Sequence, residues 1–270
     1  MLDLRSLQLV QLDILSEFDS LCKKLGLRYS LAYGTLLGAV RHGGFIPWDD
    51  DVDVCMLRQD YDKLIKQAGD YLPSNYFLQS AYSDPNYPLD FAKLLLTDYN
   101  LSVVESKNLD ITHGVFIDIF PIDACHNNRL VDWFDRLRVG AARILCFAAI
   151  DEQFESKFPR KQIRKLASLY TKRRGTQAIV AHIDAIRRKR NTPSNAYSYY
   201  YYTGDSPLKY EWDHRLPIAL MNDLIEIEFE DRSFLCVRDY DAFLKSSYGD
   251  YMVLPPEEKR KPDHELSEVG

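Results

Sequence analysis

Between Tyr33 and Val54 the chain reads YGTLLGAVRHGGFIPWDDDVDV, and four of the five residues from Asp49 to Asp53 are aspartates. Carboxylates this close raise one another's pKa unless a cation sits among them. The stretch that follows, DVDVCML, alternates Asp with Val and then stays apolar, the pattern of a central strand. On such a strand Asp51 and Asp53 share one face, and Val52 and Val54 pack on the other. Two carboxylates on one face present oxygen ligands to a hard divalent ion and leave room for phosphate oxygens. Mg²⁺ or Mn²⁺ fits that donor set. Zinc does not, because no Cys/His set lies nearby. A calcium loop of the EF-hand kind is excluded by spacing.

A third carboxylate would complete the site. GVFIDIF sets Asp118 between Ile117 and Ile119, and a charge inside so apolar a strand needs a partner. Asp118 is therefore the expected third ligand, with Asp123, beyond Pro121, as its rival. Gly34 and Thr35 stand where a strand turns into a helix, a place where backbone N–H groups can approach a phosphate. Arg41, His42 and Lys93 are candidate phosphate neutralisers; each type is also common as an ordinary surface residue.

These residues need elements to hold them. Leu7, Val10, Ile14, Phe18, Leu21 and Leu25 recur at helical steps, and Gly26 is a plausible stop. RYSLAY reads as a short strand, TLLGAVRH as a helix and GGFIPW as a loop. RQDYDKLIKQAGDYL returns to helical spacing, and FAKLLL, LSVVES and GVFIDIF read as strands. The first 125 residues thus mix helices and strands as an α/β or α+β sheet domain does. From about Arg129 the pattern becomes helical. The expected division is a catalytic core over residues 1–125 and a helical and C-terminal lobe over 126–270, packed on the core as one unit.

Composition narrows the function. The 270 residues carry a formal net charge of −6, which argues against a general nucleic-acid binder. The five cysteines show no CxxC pair, and the expectation is small buried hydrophobes in a reduced compartment. The start, MLDLRSLQLVQLDILSEFDS, has no basic n-region, and VGAARILCFAAI is too short to span a bilayer. From Phe158 to Asn191 there are eleven Lys or Arg residues against Asp184 alone. That segment is either a solvated face or a surface for an anionic partner, polymer or membrane headgroup. Five tyrosines fall between Tyr197 and Tyr202.

Taken together, Gly34-Thr35, Asp51-x-Asp53 and a later strand aspartate resemble the nucleotidyltransferase-fold signature. The longer string from Tyr33 to Val54 resembles the LicD family of bacterial phosphocholine transferases, related to fukutin and the fukutin-related protein. GVFIDIFPID is similar to the family's second block, and FEDRSFLCVRDYDAFLKSSYGDYMVLPPEEKR to its C-terminal block. The resemblance implies a mixed sheet core flanked by helices. It implies a Mg²⁺-dependent transferase moving phosphocholine from CDP-choline to a hydroxyl of a cell-surface glycan, teichoic-acid or lipopolysaccharide precursor, in some cases lipid-linked. Metal ligands and catalytic residues fall on Asp51, Asp53 and Asp118, and the substrate-phosphate turn on Gly34 and Thr35. Asp49 and Asp50 belong to the string with no assigned role beyond shaping the loop or an outer shell. The absence of a signal or anchor points to the cytoplasmic branch, with peripheral membrane contact through the basic segment 158–191.

Two alternatives stay open. The alcohol phosphate could be glycerol, ribitol or ethanolamine phosphate; choline's quaternary ammonium would favour an aromatic cage, for which Tyr197 to Tyr202 and Trp212 are candidates. A non-catalytic scaffold of the same fold is the other, disfavoured because every carboxylate is present.

Overall fold

The computed structural model describes residues 2–99, 101–103, 109–150, 161–198, 215–262 and 266–268. The first helix, α1 (Leu4–Leu25), starts where the Asp3 side chain accepts from the Ser6 N–H and stops at Gly26, whose φ of 62° is left-handed. Glycine meets that conformation without the Cβ clash other residues suffer. Its apolar stripe, Ile14, Leu15 and Phe18 among it, is buried. A two-residue strand β1 (Ser30–Leu31) leads directly into α2 (Tyr33–His42). Next come β2 (Asp53–Leu57), α3 (Arg58–Gln67), β3 (Tyr76–Gln79), β4 (Ala92–Leu96), β5 (Leu101–Val103) and β6 (Val115–Ile122). Helices α4 (Arg129–Ile150), α5 (Lys161–Arg174) and α6 (Thr176–Arg188) follow. The chain ends with β7 (Tyr197–Ser198), β8 (Leu216–Pro217), the hairpin β9 (Leu224–Phe229) and β10 (Arg232–Val237), α7 (Tyr240–Tyr248) and β11 (Leu266–Glu268).

The main sheet runs β1-β2-β6-β4-β3. β2 and β6 are parallel; the other neighbours are antiparallel. Register puts Asp53 opposite Asp118, and Asp118 opposite Lys93. The mixed sheet flanked by helices is the nucleotidyltransferase-like architecture that the family resemblance implies.

Several boundaries differ from expectation. β2 begins at Asp53, two residues later than DVDVCML implies, although the Asp118 N–H still bonds to the Val52 carbonyl at 2.8 Å. β1 is shorter than RYSLAY because the chain leaves it at Ala32 to enter α2. β6 runs through Pro121. The β4 ladder has ended at Ile119, so the missing N–H costs no bond on that side. β3 and the β9–β10 hairpin were not expected. The hairpin is legible afterwards in the alternation of LIEIEF, broken at Glu230, which takes a left-handed φ of 58°.

The sheet, α1, α2, the hairpin and α7 share one hydrophobic cluster, in which Phe229, Phe234 and Phe243 from the C-terminal part join Phe18, Leu36 and Ile117. A smaller cluster lies between α4 and α6 and takes in Ala81. Buried ion pairs tie these helices to the sheet. The Arg58 guanidinium, on α3, grips Asp123 at the end of β6 and lies 3.2 Å from Asp184 on α6. Asp90 takes both Arg143, at 3.1 Å, and Arg187, at 2.8 Å. The five cysteines are free and buried.

Candidate active site

The aspartate loop is held from beneath by two glutamines on the buried face of α1. Gln8 Nε2 donates to the Asp49 carbonyl at 2.8 Å, and Gln11 Nε2 to the Asp50 carbonyl at 2.9 Å. Both glutamines are almost wholly buried. No motif singles them out; their signal in the sequence is a polar pair on an otherwise apolar helix stripe. The preceding glycine loop is clasped by Glu230. Its carboxylate accepts from the Phe45 N–H at 3.1 Å and pairs with Arg5, and a side chain on Gly44 would collide with it at 2.5 Å.

Gly34 serves this site through space rather than through an unusual φ. A Cβ there would lie 2.7 Å from Asp49 Oδ2, so the missing side chain lets that carboxylate reach the start of α2. The positive end of a helix favours an anion at that position. Thr35 Oγ1 accepts from the Asp53 N–H at 2.8 Å, which ties the first turn of α2 to the first residue of β2.

Asp49, Asp50 and Asp51 each offer a carboxylate oxygen within 4.8 Å of the others. Asp53 and Asp118 lie behind them, both buried. Burial holds the Asp53 carboxyl well above the usual range, reinforced in turn by the negative charges of Asp51, Asp118 and Asp49, with Lys93 only partly offsetting them. Clustered like charges raise one another in this way. The donors are all oxygen, the set a hard divalent ion takes. Asp49 thus joins the group electrostatically.

Lys93 is committed within the site. Its Nζ lies 2.6 Å from Asp118 Oδ1 and 3.2 Å from the centre of the Phe116 ring. In this arrangement it neutralises a carboxylate. Arg41, on the last turn of α2, donates from Nη1 to the Tyr251 carbonyl at 2.8 Å, and His42 meets the Trp48 ring edge-on at 6.2 Å. Partial burial, then Arg41's charge, hold His42 below its ordinary pKa. Asp123 lies apart from the row: its Oδ1 takes Arg58 Nε at 2.8 Å and Asn191 Nδ2 at 2.6 Å. Of the tyrosine run, Tyr197 is half exposed with the Arg215 guanidinium 5.2 Å from its ring centre. Residues 199–202 and Trp212 lie outside the described residues.

The basic segment falls largely on α5 and α6. Leu166, Leu169 and Tyr170 are exposed on α5, with Arg173 at the next helical step on the same face. The opposite face carries Thr171, whose Oγ1 donates to the Leu145 carbonyl of α4 at 2.9 Å. Among the described residues no helix is long and apolar enough to cross a membrane.

Comparison with known proteins agrees with this geometry. Residues 26–136, which hold the whole carboxylate row, match the family model described as LicD/FKTN/FKRP, nucleotidyltransferase domain. The chain is 31% identical over 269 residues to the lipopolysaccharide cholinephosphotransferase LicD of Haemophilus influenzae, covering 97% of this chain and 96% of that one. It is also 57% identical over 35 residues to the ribitol 5-phosphate transferase FKRP of Homo sapiens, 13% of this chain and 7% of that protein. With a relative matched along nearly its entire length and the catalytic-domain model spanning the carboxylates, the chain belongs to the LicD family and is an enzyme of the phosphotransferase kind.

Proposed function

We propose that this enzyme transfers phosphocholine from CDP-choline to a hydroxyl of a cell-surface glycan precursor, with a divalent ion, Mg²⁺ or Mn²⁺, at the aspartate group. The observation that carries the metal part is the cluster of carboxylates: Asp49, Asp50 and Asp51 each offer an oxygen within 4.8 Å of the others, and Asp53 stands opposite Asp118 on the adjacent strand. Asp51, Asp53 and Asp118 would hold the ion, with Asp49 bordering it. When bound, it would supply positive charge to the diphosphate and to the departing CMP.

The chain's own residues do the rest. Thr35 keeps Asp53 in place through its backbone N–H, and Gly34 keeps the start of α2 open to negative charge. Asp118 orients the acceptor hydroxyl or takes its proton, and Lys93, 2.6 Å away, holds its carboxylate in place for that task. Arg41 and His42 border the phosphate side. The acceptor class follows from the lipopolysaccharide cholinephosphotransferase to which the chain is similar along nearly its full length; a teichoic-acid precursor has the same chemistry. A lipid-linked acceptor accords with peripheral membrane contact through the exposed face of α5, on the cytoplasmic side.

A second reading, transfer of ribitol phosphate, is favoured by the short, highly identical match to the ribitol 5-phosphate transferase. Incubating the enzyme with CDP-choline, CDP-ribitol, CDP-glycerol and CDP-ethanolamine, with and without Mg²⁺, and following CMP release tests both. CMP release from CDP-choline above the other three is expected; preference for CDP-ribitol selects the second reading, and release without divalent ion overturns the metal role.

A further inference from the structure

Near its end the chain returns to the aspartate loop. The Tyr251 carbonyl accepts from Arg41 Nη1 at 2.8 Å, and the Pro255 carbonyl accepts from Arg260 Nε at 2.8 Å. Arg260 lies over the ring of Trp48, its guanidinium carbon 5.6 Å from the centroid. Trp48 directly precedes Asp49. Residues 251–260 therefore turn over the end of α2 and set a second guanidinium beside the first, both at the Trp48 rim of the carboxylate group.

This pair differs from the arginines that tie the helices to the sheet. Arg58, Arg143, Arg187 and Arg190 each meet a buried or half-buried aspartate within ion-pair distance. Among the described residues neither Arg41 nor Arg260 has such a carboxylate. Burial pulls the Arg41 guanidinium below its ordinary range, Arg260's charge pulls the same way, and Tyr248 and Asp49 offset part of it. Two guanidiniums anchored by backbone carbonyls, each with most of its five donors left over, form an anion site whose own repulsion an anion would relieve. Paired N–H forks suit phosphate oxygens in particular. Asp49, whose Oδ2 would lie 2.7 Å from a Cβ on Gly34, is near enough for its charge to act on the Arg41 guanidinium.

We propose that Arg41 and Arg260 form a clamp for a phosphate of the substrate diphosphate, with Trp48 as its floor, beside the aspartate group. The C-terminal block of the chain thereby becomes part of the active site. The inference rests on the transferase reading only for the choice of CDP-choline as one probe; inorganic pyrophosphate is independent of it.

The test is calorimetric binding of Mg²⁺-pyrophosphate and of CDP-choline to the intact enzyme and to Arg41→Gln, Arg260→Gln and the double variant. Each single change should weaken pyrophosphate tenfold or more. The double variant should lose less than the product of the two, as expected when both groups hold one anion. Arg260→Lys, which keeps the charge but not the fork, should recover part of the affinity, which mere damage to the fold would not allow. Single variants that bind pyrophosphate as tightly as the parent, or a parent that does not bind it, overturn the clamp. Clamp-dependent pyrophosphate binding with no CDP-choline bound by any form leaves the clamp standing and removes the proposed donor. CDP-choline bound equally by all four forms removes the clamp and leaves the donor.

Discussion

Lys93 and Asp118 stand opposite one another on the adjacent strands β4 and β6, with Nζ 2.6 Å from Oδ1, and Asp53 occupies the same row on β2. Lys93 thus borders a group of at least four mutually repelling carboxylates. Lys93 should hold the Asp118 carboxylate in place and at the same time oppose a divalent ion. Lys93→Met removes that opposition, so Mn²⁺ affinity measured by calorimetry should rise while transfer slows. Weaker Mn²⁺ binding in the variant would place Lys93 among the groups that organise the metal site.

Asp118→Asn separates two roles of that residue. If it serves chiefly as base, metal and donor bind near normally and single-turnover transfer falls by roughly 10²–10⁴-fold. If it serves chiefly as ligand, metal affinity falls with rate and excess Mg²⁺ restores part of the activity. Wild-type turnover would refute both.

Asp51→Asn and Asp53→Asn should each abolish EDTA-sensitive activity yet leave the metal-free protein folded and at least as resistant to urea as the parent. Removing one charge relieves repulsion that opposes ionisation of Asp53. A lower urea midpoint for Asp53→Asn would mean the carboxylate is stabilising without metal.

The Arg58–Asp123 pair gives a stability and a pH prediction. Burial alone would raise Asp123, but the Arg58 hydrogen bond and charge, with Arg187 and Asn191, hold it below its usual value. A carboxyl lowered in the folded state stabilises the protein above its unfolded pKa of about 3.9 and loses that contribution as pH falls through the folded value. Asp123→Asn should therefore flatten the acid limb of a stability-against-pH curve below about pH 4. Arg58→Met leaves Asp123 and Asp184 buried without their partner and should cost about 3–5 kcal/mol by urea unfolding. A loss under 1 kcal/mol would show that α6 is held by apolar contacts instead.

The exposed face of α5 predicts lipid behaviour. The protein should co-sediment with vesicles containing anionic lipid and release as salt rises, because screening shortens the reach of Lys172, Arg173 and Arg174. Leu166→Ser with Leu169→Ser should reduce binding even at low salt. Binding flat from low to high salt would leave α5 a solvated face.

The sequence by itself determined the elements that carry the row and the charges on it. The alternation of Asp and Val around Asp53, and Asp118 between two isoleucines, are local signals of period two, so the strands and their polar members could be read without neighbours. The helical stripe of α1 and its stop at Gly26 were legible for the same reason, the period being 3.6. Only the tertiary structure decided what each charge meets. That Lys93 faces Asp118 depends on strand register. That Gly34 makes room for Asp49, and that Gln8 and Gln11 hold the aspartate loop by its carbonyls, depends on packing across the sheet. Asp123, beside the row in sequence, is drawn away by Arg58, 65 residues earlier. Arg41 is fixed by a carbonyl 210 residues later, and Arg260 comes to rest on Trp48. Contacts between distant segments leave no periodic trace along a chain, and a carboxylate's role at a site is set by such contacts.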